Sequence, residues 1–187
     1  MDRKKIEEKV FKALSKNDLR KACELTIKLI KNKSGKLPSF LNVDVDLRCQ
    51  QLQVLFDSWP KNLNKISISD DLKERFKIAA AMQMLNNFSY QRFNVIPSIN
   101  VSPFDSTHDI VSSLIKHVFY KTQLKNDMKM LSTGIKLKYK VLPCDDSCNQ
   151  CKEFSKKAYT LEDHPEMPYE HCNSPFGCRC SYLQELT

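Results

Sequence analysis

Cysteines are concentrated at the end of this chain, with a spacing that is typical of metal sites. Six of the eight cysteines lie between residues 144 and 187. Cys148 and Cys151 are separated by two residues, so a tight turn directs both sulfurs at one ion. A second group of soft ligands follows about twenty residues later, and Zn²⁺ is often held by two such separated pairs. The candidate ligands are Cys148, Cys151, His171, Cys172, Cys178 and Cys180.

These candidates exceed the four positions of a tetrahedral zinc site. His171 and Cys172 are adjacent, so their side chains point apart and at most one of them is expected to bind. Cys178 and Cys180 point the same way on an extended strand, so both bind only if the chain bends, and Gly177 offers that bend. The expected ligands are Cys148, Cys151, Cys178 and either His171 or Cys172, with Cys180 in reserve.

Two other chemistries fit the same cysteines. In an oxidising compartment the six would form three disulfides, whereas in a reducing one they bind metal. Cys144, Cys148 and Cys151 also have the C-x3-C-x2-C spacing of iron–sulfur radical enzymes. Those enzymes need a large barrel after the motif, and only 36 residues follow Cys151. Zinc is therefore the expected cofactor.

The charge of the chain is unevenly distributed. The net charge is +8, but residues 144–187 carry 4 Lys/Arg and 8 Asp/Glu, whereas residues 1–36 carry 12 and 5. A basic surface attracts phosphate backbones, although a solvated helix surface explains the same composition. The lysines that would contact nucleic acid are Lys4, Lys5, Lys9, Lys12, Lys136, Lys138 and Lys140.

Composition also argues against several classes of protein. The chain has only three glycines, too few for a phosphate-binding glycine-rich loop. No apolar stretch approaches the roughly 20 residues of a membrane helix, and the N-terminus lacks the apolar core of a secretory signal. We expect an intracellular, cytoplasmic protein without a membrane partner.

The periodicity of residues 1–133 predicts a helical body. Apolar residues recur at the spacing of five amphipathic helices, of which the last starts at Asp105 or Ser106 and runs to about Ser132. His117 is expected at the surface of this helix or at the edge of its buried face. The residues predicted to face inward on it are Val111, Leu114, Ile115, Val118, Phe119 and Thr122.

After Gly134 the period changes from helix to strand. Apolar residues from Ile135 to Val141 alternate with lysines, which predicts a half-buried strand with one basic face. Short strands are also predicted over residues 159–161 and 179–183. The sequence thus predicts a mainly α, overall α+β protein. Its five-helix domain spans residues 1–133 and its small zinc-stapled β module spans residues 134–187.

The motifs of the C-terminal segment follow a known order. They are Cys148-x2-Cys151, Tyr159-Thr-Leu-Glu-Asp-His-Pro-Glu-Met-Pro168, His171 and Cys178-Arg-Cys180-Ser-Tyr-Leu. This segment of about 45 residues resembles the C-terminal segment of the phage Mu F-like minor head proteins. It departs from the family where six residues, rather than two, separate His171 from Cys178. The resemblance implies a virion-associated protein with a capsid or portal partner.

No motif of the sequence indicates catalysis. The zinc-deaminase order of His-x-Glu followed by Pro-Cys-x2-Cys is absent, and cysteine-rich zinc sites are usually structural. A non-catalytic, zinc-stabilised interaction protein of phage or prophage type is therefore expected. The alternatives are a basic nucleic-acid-binding protein and a small zinc-dependent hydrolase or toxin effector.

Overall fold

The protein is mainly helical and carries a small antiparallel sheet, as predicted. The structure is a computed structural model that describes residues 2–34, 44–174 and 176–186. The helices of this part of the chain are α1 (Arg3–Leu14), α2 (Leu19–Ser34), α3 (Val45–Asp57), α4 (Asp70–Asn86), α5 (Thr107–Leu131) and α6 (Asn149–Phe154). The strands are β1 (Leu137–Leu142), β2 (Ala158–Tyr159) and β3 (Ser181–Leu186). Among the described helices, none combines the length and apolar composition needed to cross a membrane.

The chain divides into two compact units that differ from the predicted domains. Unit 1 comprises Met1–Asp57 and Ser69–Ser98, and unit 2 comprises Ser58–Ile68 and Ile99–Thr187. The sequence suggested a boundary at residues 133/134. The long helix α5 instead belongs with the sheet, because it contributes buried side chains to the core that the sheet covers.

Unit 1 begins with a helical hairpin of α1 and α2. The apolar residues of α1 lie on one face and are buried, among them Val10 and Leu14. Asn17 has a left-handed φ of 55°, which reverses the chain between the helices. The carboxylate of Asp18 then accepts a hydrogen bond from the Lys21 amide at 3.2 Å and caps the start of α2.

In unit 2, the sheet has the strand order β2-β1-β3, and both pairings are antiparallel. The predicted alternation of β1 is confirmed, since Leu137, Tyr139 and Val141 are buried and the lysines between them are exposed. The strand predicted over residues 179–183 is shifted and forms β3 at Ser181–Leu186.

The apolar face predicted for α5 is wrong in part. Val111, Leu114 and Val118 are buried, but the side chain of Phe119 is 52% exposed. Its neighbour Tyr120 is buried instead and packs with Tyr182 of β3, with 5.8 Å between ring centroids. His117, predicted at the surface or at the edge of the buried face, is also buried, and this burial lowers its pKa to about 4. The buried face of α5 is thus wider than one stripe.

One hydrogen bond joins α5 to the sheet inside the core of unit 2. The Tyr139 hydroxyl of β1 donates to Oδ2 of Asp127 at 2.9 Å, and both residues are almost fully buried. Removal of the Tyr139 hydroxyl leaves the buried carboxylate of Asp127 without this hydrogen bond. Such a loss lowers the free energy of unfolding by about 1–3 kcal/mol. We therefore expect Tyr139→Phe to lower the free energy of unfolding by that amount in urea denaturation.

Tyr159 provides a matched control for this prediction. It lies directly opposite Tyr139 in the β1–β2 pair, and its buried hydroxyl has no hydrogen-bond partner within the described part of the chain. Tyr159→Phe removes the same atom from the same sheet without breaking a bond. It is expected to be neutral or slightly stabilising, and equal losses in both variants would contradict the role given to Asp127.

Candidate metal centre

Five cysteine sulfurs form two overlapping groups in the core of unit 2. The sulfurs of Cys148, Cys151 and Cys172 all lie within 4.8 Å of one another, and so do those of Cys151, Cys178 and Cys180. Cys151 belongs to both groups, and its sulfur is 3.9 Å from that of Cys178. Four sulfurs at about 2.3 Å from a tetrahedral zinc lie about 3.8 Å from one another. Each group therefore offers three ligands with the donor type and about the spacing of a site for a soft divalent cation.

The first two sulfurs are positioned by the turn between β1 and α6. Cys148 is the N-cap of α6 and Cys151 lies in its first turn, so the two side chains lie close together. The Lys152 amide donates to the Cys148 carbonyl at 3.1 Å, and the Ser147 amide donates to the Cys144 carbonyl at 3.0 Å. These bonds hold the Cys-x2-Cys segment in the conformation that its spacing predicted.

The other three sulfurs come from irregular backbone that precedes β3. The Cys172 amide donates to the Tyr169 carbonyl at 3.1 Å, which closes a turn around this cysteine. Gly177 has a left-handed φ of 72°, and a Cβ there would lie only 3.0 Å from the nearest side chain. Glycine is therefore required just before Cys178 and Cys180, where the sequence predicted a bend.

The cluster lies within an apolar core. Cys151, Cys172, Cys178 and Cys180 are buried, whereas Cys148 is half-buried. A single buried thiol behaves as a small apolar group, but these five form two groups of soft ligands that are largely screened from water. The other buried residues of this core are Tyr120, Leu137, Tyr139, Val141, Tyr159 and Met167.

Hydrogen bonds between the thiols divide them into two kinds. Hydrogen bonding with Cys151 and Cys178 lowers the pKa of Cys172 and of Cys180. The pKa of Cys151 is raised, first by its contacts with Cys172, Cys178 and Cys180 and then by burial. The contact with Cys151 lowers the pKa of Cys178, but its contacts with Cys172 and Cys180, together with burial, raise it overall. A bound divalent cation would favour the thiolate form of every sulfur that it contacts.

Polar groups around the cluster fix its backbone and its sulfurs. The Ser147 hydroxyl lies 3.2 Å from the sulfur of Cys180 and accepts a hydrogen bond from the Cys144 amide at 2.7 Å. The Lys65 ammonium, from the Ser58–Ile68 segment of unit 2, donates to the Cys172 carbonyl. Such outer contacts orient metal ligands, and they explain why residues 58–68 belong to this unit.

Basic side chains lie beside the cluster although the segment itself is acidic. Burial lowers the pKa of the Lys116 ammonium, and the negative charge of nearby thiolates opposes that shift. Arg179, which lies between Cys178 and Cys180, forms an ion pair with Asp146. A site with four thiolates and Zn²⁺ carries a charge of about −2, and these cations would stabilise it.

One candidate ligand, His171, and the nearby Cys144 lie outside both groups of sulfurs. Among the described residues, His171 joins neither group; it is exposed, and its ring packs edge-on against Tyr169 with 5.6 Å between centroids. His171 and Cys148 line an open groove of about 410 Å³. Cys144 is likewise outside, and its thiol donates to the Arg179 carbonyl at 3.3 Å. The geometry thus favours Cys172 over His171 as a ligand. Cys180 belongs to the same group as Cys178, so it is as well placed to bind as Cys178 is.

The lysines that were predicted to contact nucleic acid occupy three places. Lys9 and Lys12 line a cleft at the α1–α2 hairpin, whose lining residues do not include Lys4 and Lys5. The three lysines at 136–140 are exposed near or on β1, where Lys138 faces Glu185 across the strand pair. Of the four predicted lysines of unit 1, the cleft thus includes only Lys9 and Lys12, and the other three predicted lysines belong to unit 2.

Sequence comparison adds no relative to this description. The chain matches no known protein-family model, no curated protein and no solved structure. The resemblance of its C-terminal segment to the minor head proteins therefore stays a hypothesis.

Some residues of the site carry no sequence signal. Lys65 lies in a turn that follows the short 3-10 helix Lys61–Leu63, and Lys116 lies on α5. Both are remote from the cysteines in sequence, so no spacing rule connects them with the site. Ser147 is different, since it precedes Cys148 directly. A hydroxyl beside a Cys-x2-Cys turn can donate a hydrogen bond to a thiolate. The position of Ser147 next to Cys148 was therefore a sequence signal for its role.

Proposed function

We propose that unit 2 is a structural zinc module and that the protein is a non-catalytic, zinc-stabilised interaction protein. The observation that carries this proposal is that five largely buried sulfurs form two groups of three close neighbours, which share Cys151. Thiolates are the ligands that structural zinc prefers, and structural sites are closed by four protein ligands. Each group supplies three sulfurs, and one sulfur of the other group would complete a four-ligand site without water.

The donor set favours a structural role over a catalytic one. In the described residues, the groups that satisfy metal-site distances contain cysteines alone, without His, Asp or Glu. A catalytic zinc keeps one position for water and uses a nearby carboxylate or histidine as a base. The zinc-dependent hydrolase is therefore the less supported alternative.

A role in the phage head is the more specific part of the proposal. It rests on the order of the Cys-x2-Cys, proline-rich and Cys-Arg-Cys motifs, which resembles that of the minor head proteins. The partner would then be a capsid or portal protein, and the protein would be cytoplasmic before assembly and virion-associated after it. Capsid genes beside its own gene, and co-purification with their portal protein, would support this role; unrelated neighbours and no portal binding would count against it.

Cobalt substitution tests the closed zinc site. Co²⁺ bound by four thiolates has strong sulfur-to-metal charge-transfer absorption and the visible spectrum of a tetrahedral ion. We expect about one Zn²⁺ per chain in freshly purified, reduced protein and this spectrum after exchange for Co²⁺. Addition of azide should leave the spectrum unchanged, because no position is open. A spectral shift with azide would instead favour the hydrolase, and protein without zinc but with disulfides would refute the module itself.

A further inference from the structure

Unit 1 contains a cleft lined by four lysines, remote in sequence from the cysteine cluster. The cleft lies at the α1–α2 hairpin and has a volume of about 400 Å³. Its charged residues are Lys9 and Lys12 of α1, Lys16 of the turn, Lys21 of α2 and one acidic residue, Asp18. We propose that this cleft binds the phosphate backbone of a nucleic acid.

The first argument is the arrangement of the lysines. Lys9 and Lys12 are three residues apart on α1, so they share one face of the helix. Lys16 continues this row into the turn, and Lys21 faces it from the first turn of α2. Like charges so close together repel one another, and a polyanion that enters the cleft removes this repulsion from several lysines at once.

The second argument is that carboxylates of the described residues do not neutralise these lysines. In the described residues, no carboxylate lies within ion-pair distance of the ammonium groups of these four lysines, whereas the neighbouring Arg20 is paired with Glu24 at 3.3 Å and Asp46 at 3.1 Å. Asp18 accepts a hydrogen bond from a backbone amide as the cap of α2. The cleft is therefore strongly basic, whereas the charge of Arg20 beside it is neutralised by its two carboxylate partners.

The third argument distinguishes a nucleic acid from a membrane surface. Peripheral membrane binding combines basic residues with large apolar side chains that insert below the headgroups. In the described part of unit 1, Leu47 of α3 is the one large apolar side chain that is well exposed, and it is not part of the cleft. The apolar residues of the cleft are Ala13, which is buried, and Leu25, which is half-buried. A recessed basic cleft without apolar anchors fits a phosphate backbone.

The experiment measures binding of a labelled DNA duplex of about 20 base pairs by fluorescence anisotropy at about 50 to 200 mM NaCl. The test variant is Lys9→Gln/Lys12→Gln/Lys16→Gln. The control, Lys136→Gln/Lys138→Gln/Lys140→Gln, removes the same charge from exposed positions of unit 2. Glutamine is a good helix former, and far-UV circular dichroism checks that both variants are folded.

We expect the cleft variant to bind roughly tenfold or more weakly at the lowest salt, for any duplex sequence. Its plot of log affinity against log salt should flatten by roughly 0.9 for each lysine that had contacted a phosphate. The control should bind like the wild type. Three outcomes overturn the proposal: no duplex binding by the wild type at low salt, a loss confined to the control, or binding of phosphatidylserine vesicles but not of DNA. Because zinc content is measured separately, failure here leaves the metal module untouched.

Discussion

Replacement of Cys151 by serine is expected to abolish metal binding and to unfold unit 2, while the helices of unit 1 remain formed. Cys151 is fully buried and is the residue shared by both groups of sulfurs, so neither group is complete without it. Structural zinc contributes on the order of 10 kcal/mol to small domains, which is comparable with the whole stability of a folded domain. The variant should therefore lose more than any core substitution of this unit.

Metal analysis and circular dichroism together measure this effect. The variant should contain no stoichiometric zinc, and its helical signal should fall by the share of α5 and α6 while the signal of α1 to α4 is retained. Chelation of the wild-type metal should produce the same spectrum. Cys144→Ser is the matched control, since Cys144 lies in the same segment but outside both groups of sulfurs. A Cys151→Ser protein that keeps its zinc would falsify the assignment.

Arg92→Met is expected to destabilise unit 1 by about 3 kcal/mol, because it leaves a buried carboxylate partly unpaired. Glu7 of α1 is only 3% exposed and forms ion pairs with Arg92 and with Arg3, the latter at 2.9 Å. The Arg92 side chain is 41% exposed, so the pair is only half-buried, and loss of a hydrogen bond to a charged group typically costs about 1.5–3 kcal/mol. We expect the upper end of this range, because the Glu7 carboxylate itself stays buried.

The contrast with an exposed ion pair makes this prediction specific to burial. Arg20 also bridges two carboxylates, but the side chains of Arg20, Glu24 and Asp46 are each more than half exposed. Such pairs are screened by water and often contribute nothing measurable. Urea denaturation of Arg20→Met should therefore match the wild type. If Arg92→Met also matched it, the pairing of Glu7 would contribute nothing to the fold.

The secondary structure was largely predictable because its signals are local. The alternation around Tyr139 in β1 and the amphipathic patterns of the first helices both follow from burial of one face. The ligand region was predictable for the same reason, since the Cys-x2-Cys spacing and Gly177 act within a few residues. The choice between His171 and Cys172 was not, because both occupy the same place in sequence. Their environments differ only in the folded chain, where one is exposed and the other is buried.

The errors occur where packing across the chain decides. Phe119 and Tyr120 are adjacent on α5. A prediction that buries only one stripe of the helix chooses the more apolar of the two side chains, which is Phe119. Tyr120 is buried instead because Tyr182, sixty-two positions later in the sequence, offers it a ring to stack against. The domain boundary was missed for a related reason, since Lys65 reaches the Cys172 carbonyl from a segment between two helices of unit 1.

The order of the segments along the chain has a practical consequence for dissecting the protein. Residues 58–68 belong to unit 2 although they interrupt unit 1, so the polypeptide passes between the units three times. No single truncation point can deliver either unit intact. A fragment that starts at Ile99 would lack Lys61 and Lys65, which contact Glu166 and the Cys172 carbonyl. An internal fusion or co-expressed fragments would be needed to obtain the cysteine-rich half with all of its supporting contacts.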